Sequence, residues 1–537
     1  MSSSALFDAF ALDFLGLDRN DRVETLDGTS ATRKRVYLDA TATSLMPRVV
    51  WEAWRWYFEE ACANSHTHAH AAGRATTEAI ERSRQLVGEL VGYDPTVDVV
   101  IFTGNGATGA TNLLADALFP AALSQLVRQG STGTPAVREA TTHLLDTLRE
   151  SHAALVRGAE RDTVVVSKME HHSNMLPWIR AASHERVRFI DLRPDGTLDL
   201  DHLAKILREE GQRVRLVAVT GVSNVTGILN PVHDIARAAH AVGAEIVVDA
   251  AQAAPHVKID MHPSDPAAAL DYIIISGHKM YAPGSRGVLV GKKTAFSSDR
   301  VVGMVGGGGV DFVSTDEVRF KDEISEREEA GTPNIPGTIA LGVVARLLLD
   351  VGMDAIRAHE VALVDDALAR LSKHPEVVVY GSVDTRAVPR AGVIAFNLRA
   401  MPHGLVAAIL SDYFAIAVRN DCFCAQPYVK EQLRGGPVVE SACSDDVCTP
   451  LARPGMVRAS FGAFTTHADV AALDEALGFV IAHADELRAR YQQDAAGEWS
   501  LRGPASPLRF SIDTAVTRHF ASPSSLDQGV SGVATSS

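Results

Sequence analysis

Apolar positions recur along the chain in two spacings, and each spacing predicts one kind of element. Apolar residues three to four positions apart predict a helix over 74–92. Short runs of β-branched apolar residues predict strands that are buried on both faces, as in a parallel sheet. These runs are 98–102, 162–167, 214–220, 244–250 and 272–276. Because helical segments separate the runs, the pattern predicts an α/β fold built on an open sheet.

The first two-thirds of the chain divides into an extension and a large domain. Polar residues with scattered apolar positions predict an N-terminal extension over 1–35 that includes some helix. The regular alternation that follows predicts a large domain over 36–336. Within it, residues 119–160 exceed the length that a crossover helix needs, so they predict a helical insertion.

The pattern changes after residue 336. Helical stretches over 337–372 and 465–490 enclose two short strand candidates, which predicts a smaller α+β domain over 337–491. The rest, 492–537, is rich in Ser, Pro, Gly and Ala, a composition that predicts a disordered tail.

Composition limits the classes of partner and location. The formal net charge is -15 over 537 residues, which argues against nucleic acid or an anionic membrane as the main partner. No apolar run reaches the length of a membrane-spanning helix, and the N-terminus lacks the features of a signal peptide. The 5 cysteines are odd in number and unevenly placed, which predicts a reducing compartment, by default the cytosol. They are Cys62, Cys422, Cys424, Cys443 and Cys448.

The carboxyl ends of parallel strands meet at one ligand crevice, so the residues that follow each strand are candidates for a site there. The first strand ends in a turn with Gly104, Gly106 and Gly109, followed by an apolar helical pattern. Its backbone amides, the helix N-terminus and the Thr108 hydroxyl can hold a phosphate. The alternative is a flexible strand-to-helix turn, since the lysine of a P-loop is missing.

The second and third strands end in imidazole and amide side chains. His171 and His172 can stack on a planar cofactor or move protons; alternatively, one caps a helix and the other faces solvent. Asn224 can donate to a ring oxygen, or it can serve the turn in which it lies.

The fourth and fifth strands end in charged residues. Asp249, with Gln252 three positions later, can pair with a protonated pyridine nitrogen, or it can cap the next helix. Lys279 follows a wholly apolar strand, where desolvation lowers an amine pKa and prepares it for a Schiff base. The alternative is a surface lysine. Together, a phosphate cradle, a ring stacker, a ring-oxygen donor, a carboxylate and an amine make up a pyridoxal phosphate site.

Seven motifs carry a resemblance to a known family over about 37–490. They are YLDATAT, MEHHSNMLPW, VVDAAQAAPHVKID, SGHKMYAPGSRGVLVG, EAGTPNIPG, AVRNDCFCAQP and VRASFGAFTTHADV. The chain resembles class V aminotransferase-fold enzymes, close to the group II (SufS-type) cysteine desulfurases and selenocysteine lyases. The resemblance implies the type I fold of pyridoxal-phosphate-dependent transferases, with a mostly parallel seven-stranded sheet flanked by helices, and a homodimer.

The resemblance also implies roles around the cofactor. Lys279 would form the Schiff base, and His171 would stack on the pyridine ring. Asp249 would pair with the ring nitrogen and Gln252 with the phenolic oxygen. The remaining cofactor contacts would come from Gly106, Ala107, Thr108, Asn224, Ser276 and His278, with Thr332 reaching the phosphate of the neighbouring subunit.

Further roles concern the substrate. Asn224 and Arg458 would bind its carboxylate, and Arg419 would shape the entrance. Cys424 lies where the family places its sulfur-accepting cysteine, and a positive charge on Arg419 or His171 would lower its thiol pKa. No metal is expected. The implied reaction converts L-cysteine to L-alanine and leaves a persulfide on Cys424 for a sulfur-acceptor protein.

Two features depart from the family pattern. Cys422 precedes Cys424 in the active-site loop, and the insertion 428–455 adds Cys443 and Cys448. These four thiols can form a sulfur relay, bind zinc or an iron–sulfur cluster, or remain unpaired. The departures leave other functions open: a selenocysteine lyase, another carbon–sulfur lyase or an epimerase on the same fold, or an inactive scaffold.

Overall fold

The computed structural model describes residues 3–119, 134–144, 146–147, 161–296, 301–434, 454–503 and 510–515. The helices are α1 (Ser3–Leu12), α2 (Arg48–Glu60), α3 (Ala71–Val91), α4 (Gly106–Leu118), α5 (Leu176–Ala182), α6 (Leu200–Glu210), α7 (Val232–Ala241), α8 (Ile324–Glu328), α9 (Ile335–Val351), α10 (Met353–Leu371), α11 (His403–Phe414), α12 (Gln426–Leu433), α13 (His467–Ala482) and α14 (Ala484–Ala489). The strands are β1 (Asn20–Glu24), β2 (Ser30–Lys34), β3 (Val36–Tyr37), β4 (Asp98–Thr103), β5 (Thr163–Ser167), β6 (Val187–Ile190), β7 (Val214–Thr220), β8 (Glu245–Asp249), β9 (Tyr272–Ser276), β10 (Gly287–Lys292), β11 (Val310–Val313), β12 (Val318–Phe320), β13 (Val377–Val379), β14 (Val393–Leu398), β15 (Ile416–Ala417), β16 (Arg419–Asp421), β17 (Met456–Ser460), β18 (Tyr491–Gln493) and β19 (Trp499–Leu501).

The large domain is organised around a 7-stranded sheet in the order β4-β10-β9-β8-β7-β5-β6. β10 runs antiparallel to both of its neighbours, and the other strands share one direction. The predicted α/β class and mostly parallel sheet are confirmed. Sequence reasoning did not identify β6 and β10 as strands, because each is a short run close to a glycine-rich or polar loop.

Both faces of this sheet are covered, which explains why its strands are apolar throughout. Along β9, Ile273 and Ile275 pack into the cluster that contains Leu341 of α9. Ile274 points to the opposite face and packs with Leu114 of α4. Successive side chains of a strand alternate between faces, so a run without polar residues requires helices on both sides.

The smaller domain contains a 4-stranded antiparallel sheet, β13-β14-β17-β16, packed against α10, α11 and α13. One segment differs from the predicted boundary at residue 36. β3 pairs in parallel with β15, and Val36 and Leu38 are buried in the core of the smaller domain. The sequence pattern places β3 at the start of the large domain, because the two are adjacent in sequence. Its pairing partner, β15, lies far along the chain in the smaller domain.

The predicted N-terminal extension and the segment just after residue 490 both form ordered structure that packs on the body. In the predicted extension, α1 precedes the β1–β2 hairpin, and the rings of Phe10 and Phe14 lie 5.5 and 5.4 Å from the ring of Tyr281. At the other end, β18 pairs with β19, so the predicted disorder does not begin at residue 492. Tyr491 is buried and its hydroxyl donates to Asp412 at 3.0 Å, an anchor that composition does not reveal.

Parts of two predictions lie outside the described residues. The described part of the predicted insertion is helical over 135–144, and most of the remainder of 119–160 is outside the description. The same holds for most of the tail beyond residue 503. Across the part of the chain that is described, no helix is both long and apolar enough to cross a membrane.

Candidate active site

A cavity of about 290 Å³ lies at the carboxyl ends of the parallel strands, where loops of the smaller domain close over it. It is lined by twelve of the predicted site residues, which come from both domains. These are Ala107, Thr108, His171, Asn224, Asp249, Gln252, Ser276, His278, Lys279, Arg419, Cys424 and Arg458. Thr332 is exposed and is not among the described lining residues.

Lys279 ends the single turn of 3-10 helix that follows β9. The backbone of this turn is fixed by the N-terminal segment, because the amide and the hydroxyl of Ser44 both donate to the His278 carbonyl at 3.1 Å. Burial lowers the pKa of the Lys279 amine, and Arg458 lowers it further, whereas Asp249 and Cys424 act in the opposite direction. The amine therefore loses its proton more easily than a surface lysine does.

Asp249 and Gln252 form one buried wall of the cavity. Asp249 Oδ1 accepts from the Ala251 amide at 2.9 Å, and burial raises the pKa of the carboxyl group. Gln252 Nε2 donates one of its two hydrogens to the Thr41 carbonyl at 3.0 Å. Within the described residues, Gln252 Oε1 and Thr41 Oγ1 are buried without a hydrogen-bond partner. Buried polar atoms are normally satisfied, so these two fit a polar ligand in the cavity.

His171 lies where β5 ends and also caps the short helix His172–Asn174. Its Nδ1 accepts from the Ser173 amide at 3.1 Å, which places the ring proton on Nε2. Burial, with a contribution from Lys279, lowers the pKa of His171 to about 3. A lowered pKa disfavours the charged ring, which argues against His171 and for Arg419 as the source of positive charge near Cys424. His171 therefore both caps the short helix and lines the cavity.

The turn after β4 forms the opposite end of the cavity. Asn105 and Gly106 have positive φ values of 49° and 58°, and α4 begins at Gly106. A Cβ on Gly106 would lie 2.7 Å from Ser276 Oγ and would take a positive φ, so a larger residue would displace the Ser276 hydroxyl and strain the turn. Thr108 Oγ1 lies 2.7 Å from Ser173 Oγ. Hydroxyl groups and amides at a helix N-terminus suit an anion such as phosphate.

Arg458 of β17 is buried between the two domains. Its Nη1 donates to the Asn224 carbonyl at 2.9 Å, and its Nη2 donates to Asp39 Oδ1 at 3.3 Å. Burial lowers the pKa of Arg458 to about 10, which still leaves the guanidinium charged. Its Nε is buried and has no partner among the described residues, so one donor remains for a ligand. Arg419 is exposed on the adjacent strand β16.

Cys424 lies in a tight turn that follows β16. The Ala425 amide donates to the Cys422 carbonyl at 2.9 Å, and the two central residues, Phe423 and Cys424, have φ values of 54° and 55°. Positive φ at both central positions is the signature of a type I′ turn. The Cys424 carbonyl accepts from the His172 amide at 2.7 Å, and the exposed thiol faces the cavity.

Sequence reasoning missed several residues of this site. Asp39 pairs with Arg458, Thr41 lines the cavity, and Ser173 contacts Thr108. Asp39 and Thr41 lie within the YLDATAT motif, whose polar residues were the available signal. The guanidinium carbon of Arg458 stands 4.7 Å from the centre of the Phe423 ring, a contact with no sequence signal.

The zinc and iron–sulfur hypotheses concern cysteines that are only partly described. In the described ranges, no group of three or more potential ligand residues could hold a metal ion. Cys62, Cys422 and Cys424 are free thiols. Cys443 and Cys448 lie outside the described residues.

Comparison with known proteins identifies related chains. The family model of class-V aminotransferases matches residues 36–127 and 139–473. A probable cysteine desulfurase of Halalkalibacterium halodurans is 34% identical over 398 residues, which cover 74% of this chain and 85% of the relative. Another, of Streptomyces coelicolor, is 33% identical over 476 residues, or 88% of this chain and 96% of the relative. The solved apo structure of a cysteine desulfurase from Thermococcus onnurineus is 29% identical and has a TM-score of 0.65, covering 83% of this chain and 95% of that one.

Proposed function

The chain belongs to the class-V aminotransferase family, and from that membership we propose that it is a pyridoxal-phosphate-dependent cysteine desulfurase. The reaction would convert L-cysteine to L-alanine and pass the sulfur to Cys424. One observation carries the proposal: the Lys279 amine, the buried Arg458 guanidinium and the exposed Cys424 thiol line the same cavity. These groups can remove a proton, hold a carboxylate and accept a sulfur atom, respectively.

The residues present fit the cofactor. Thr108, Ser276 and His278, with the amides of Gly106 and Ala107, would hold its phosphate. His171 would cover the ring, Asp249 and Gln252 would bind its polar atoms, and Lys279 would attach it covalently. The unpaired atoms Gln252 Oε1 and Thr41 Oγ1 support this assignment. When bound, pyridoxal phosphate supplies an electron sink that stabilises negative charge at the substrate Cα.

The protein side chains then have separate tasks. Arg458 and Asn224 orient the substrate through its carboxylate, since a charge-assisted bond to a planar guanidinium fixes both position and angle. Lys279, whose pKa is lowered by burial, takes the Cα proton. Cys424 Sγ attacks the substrate sulfur as the carbon–sulfur bond breaks, and a proton replaces the sulfur on Cβ. One L-cysteine and one thiol thus become one L-alanine and one persulfide.

The proposal includes a homodimer and a sulfur-acceptor protein in the cytosol. Thr332 is exposed and is not among the described lining residues of its own cavity, so it is available to a second copy. The β11–β12 hairpin also exposes apolar side chains, with Phe312, Val313 and Val318 at 40%, 58% and 50% exposure. Exposed apolar residues in one patch are typical of a protein interface.

The function is tested with protein loaded with pyridoxal phosphate, L-cysteine and a reductant. We expect alanine and sulfide in equal amounts, with both lost in Cys424→Ser and in Lys279→Ala. Cys62→Ser is the matched control, since Cys62 is an exposed thiol outside the described lining of the cavity. Alanine and sulfide production by Cys424→Ser at the wild-type rate would refute the role of that thiol. Absence of turnover in the wild type would instead direct attention to other amino-acid substrates.

A further inference from the structure

Cys422 and Cys424 lie at the first and third positions of the type I′ turn. Consecutive Cα atoms are about 3.8 Å apart, so a tight turn places residues two positions apart at roughly 5 to 6 Å. That separation is within the range of about 4.4–6.8 Å over which two cysteines can form a disulfide. Both thiols are free, which leaves them available to react with one another.

The two thiols have different surroundings. Cys424 is exposed at the cavity, whereas Cys422 is half-buried and packs against the main hydrophobic core. Burial and the Asp421 carboxylate raise the pKa of Cys422, and a hydrogen bond from the backbone amide of Cys424 opposes them. Because the two cysteines are the first and third residues of one tight turn, rotation of their side chains is the only movement needed to bring the two sulfurs together.

We propose that Cys422 is a resolving thiol that discharges the persulfide of Cys424 as hydrosulfide. This inference rests on the proposed function, because that function supplies the persulfide. The raised pKa keeps Cys422 protonated at rest, so its thiol first gives a proton to solvent; Cys422 Sγ then attacks Cys424 Sγ, a bond forms between these two sulfurs, and the bond from Cys424 Sγ to the terminal sulfur breaks. The terminal sulfur leaves with the electron pair and takes a proton.

The electrons balance without an outside oxidant. The two cysteine sulfurs are oxidised to a disulfide, and the terminal sulfur of the persulfide is reduced to sulfide. A thiol reductant then reopens the disulfide and restores both thiols. A persulfide that no acceptor collects is thus discharged, and the enzyme stops until it is reduced.

The relative burial of the two thiols favours this reaction over a sulfur relay. A relay to an acceptor protein requires that the second thiol is closer to the surface than the first. Here the second thiol, Cys422, is the more buried one. Sulfur transferred to it would move away from the entrance, whereas discharge releases only a small ion through the cavity.

In the test, the persulfide on Cys424 is formed with a chemical reagent, so the result does not depend on turnover of L-cysteine. Full-length protein is treated with inorganic polysulfide without L-cysteine, excess reagent is removed, and released sulfide is followed over time. Mass spectrometry of non-reduced peptides reports the state of Cys424. In the wild type we expect a Cys422–Cys424 disulfide, while in Cys422→Ser the Cys424 persulfide should live at least about tenfold longer. Cys62→Ser should behave as the wild type does.

Two outcomes would overturn the proposal. One is a persulfide that decays equally fast in the wild type and in Cys422→Ser. The other is a disulfide that joins Cys424 to Cys443 or Cys448 instead of Cys422. Failure of the proposed function appears separately, as absence of alanine when L-cysteine is supplied to protein loaded with the cofactor.

Discussion

Replacing Glu170 with glutamine should change how the stability of the protein depends on pH. Glu170 precedes His171 and is fully buried behind the cavity. Its carboxyl oxygens accept from the Thr220 amide at 2.9 Å and from Asn174 Nδ2 at 2.7 Å, and the Ser167 hydroxyl donates to it as well. These bonds join the ends of two strands that deliver site residues.

The expected magnitude follows from the titration of this group. Burial raises the pKa of Glu170 from 4.5 to about 8, and nearby Asp249 adds to the increase. Between pH 4.5 and about pH 8, Glu170 keeps its proton in the folded protein and loses it in the unfolded chain. The unfolding free energy of the wild type therefore falls as the pH rises. The slope is about 1.4 kcal/mol per pH unit, which sets an upper limit of about 4 kcal/mol between pH 5 and pH 8.

The glutamine side chain does not titrate, so the variant does not share this loss of stability. The unfolding free energy of the variant, relative to that of the wild type, should therefore increase as the pH rises. At pH 5 the variant should be less stable by about 1–3 kcal/mol, because its amide nitrogen meets another donor, Asn174 Nδ2. The assay is urea unfolding of both proteins at several pH values. Exposed Glu475 on α13 provides the matched control, Glu475→Gln. A stability difference between wild type and Glu170→Gln that stays constant across this range would refute the reasoning.

Three further substitutions test other parts of the site. Arg458→Lys keeps the charge but loses the planar fork, so the KM for L-cysteine should rise at least about tenfold in steady-state kinetics while the cofactor spectrum is retained. Gly106→Ala should weaken pyridoxal phosphate binding at least about tenfold in an absorbance titration, because its Cβ would lie 2.7 Å from Ser276 Oγ. Gly104→Ala is its control, since a Cβ there meets no described atom within 4 Å. Tyr428 lies outside the described lining of the cavity, on α12 just after the Cys424 turn, and its buried hydroxyl donates to the Gly196 carbonyl at 2.9 Å. Tyr428→Phe should lower the unfolding free energy by about 1–2 kcal/mol in urea unfolding.

Much of the site follows from where the apolar runs end. His171, Asp249 and Lys279 each come directly after a strand or within a few residues of its end, and parallel strands direct their carboxyl ends to one edge. Local sequence is sufficient for such residues, because the direction of the strand determines where the side chain arrives.

Other residues depend on contacts between distant parts of the chain. Asp39 meets Arg458 because β3 joins the smaller domain, and nothing local predicts that pairing. Most of the β18–β19 hairpin falls in the predicted disordered tail because its composition is largely polar. Buried Tyr491, with Trp499 and Leu501 packed against the core of the smaller domain, holds it in place. In both cases tertiary packing determines the structure. A pattern of neighbouring residues holds no information about such distant contacts.

The turn that presents Cys424 depends on contact between the domains. Its central residues adopt positive φ values that cost about 1–2 kcal/mol each for residues with a Cβ. The bonds that hold this conformation come from the large domain, where Asn224 Nδ2 donates to the Phe423 carbonyl at 2.8 Å and the His172 amide donates to Cys424. Arg458 strengthens the same contact, because it binds the Asn224 carbonyl and stacks on the Phe423 ring. A movement that separated the domains would therefore release the strain of the turn and withdraw the Cys424 thiol from Lys279.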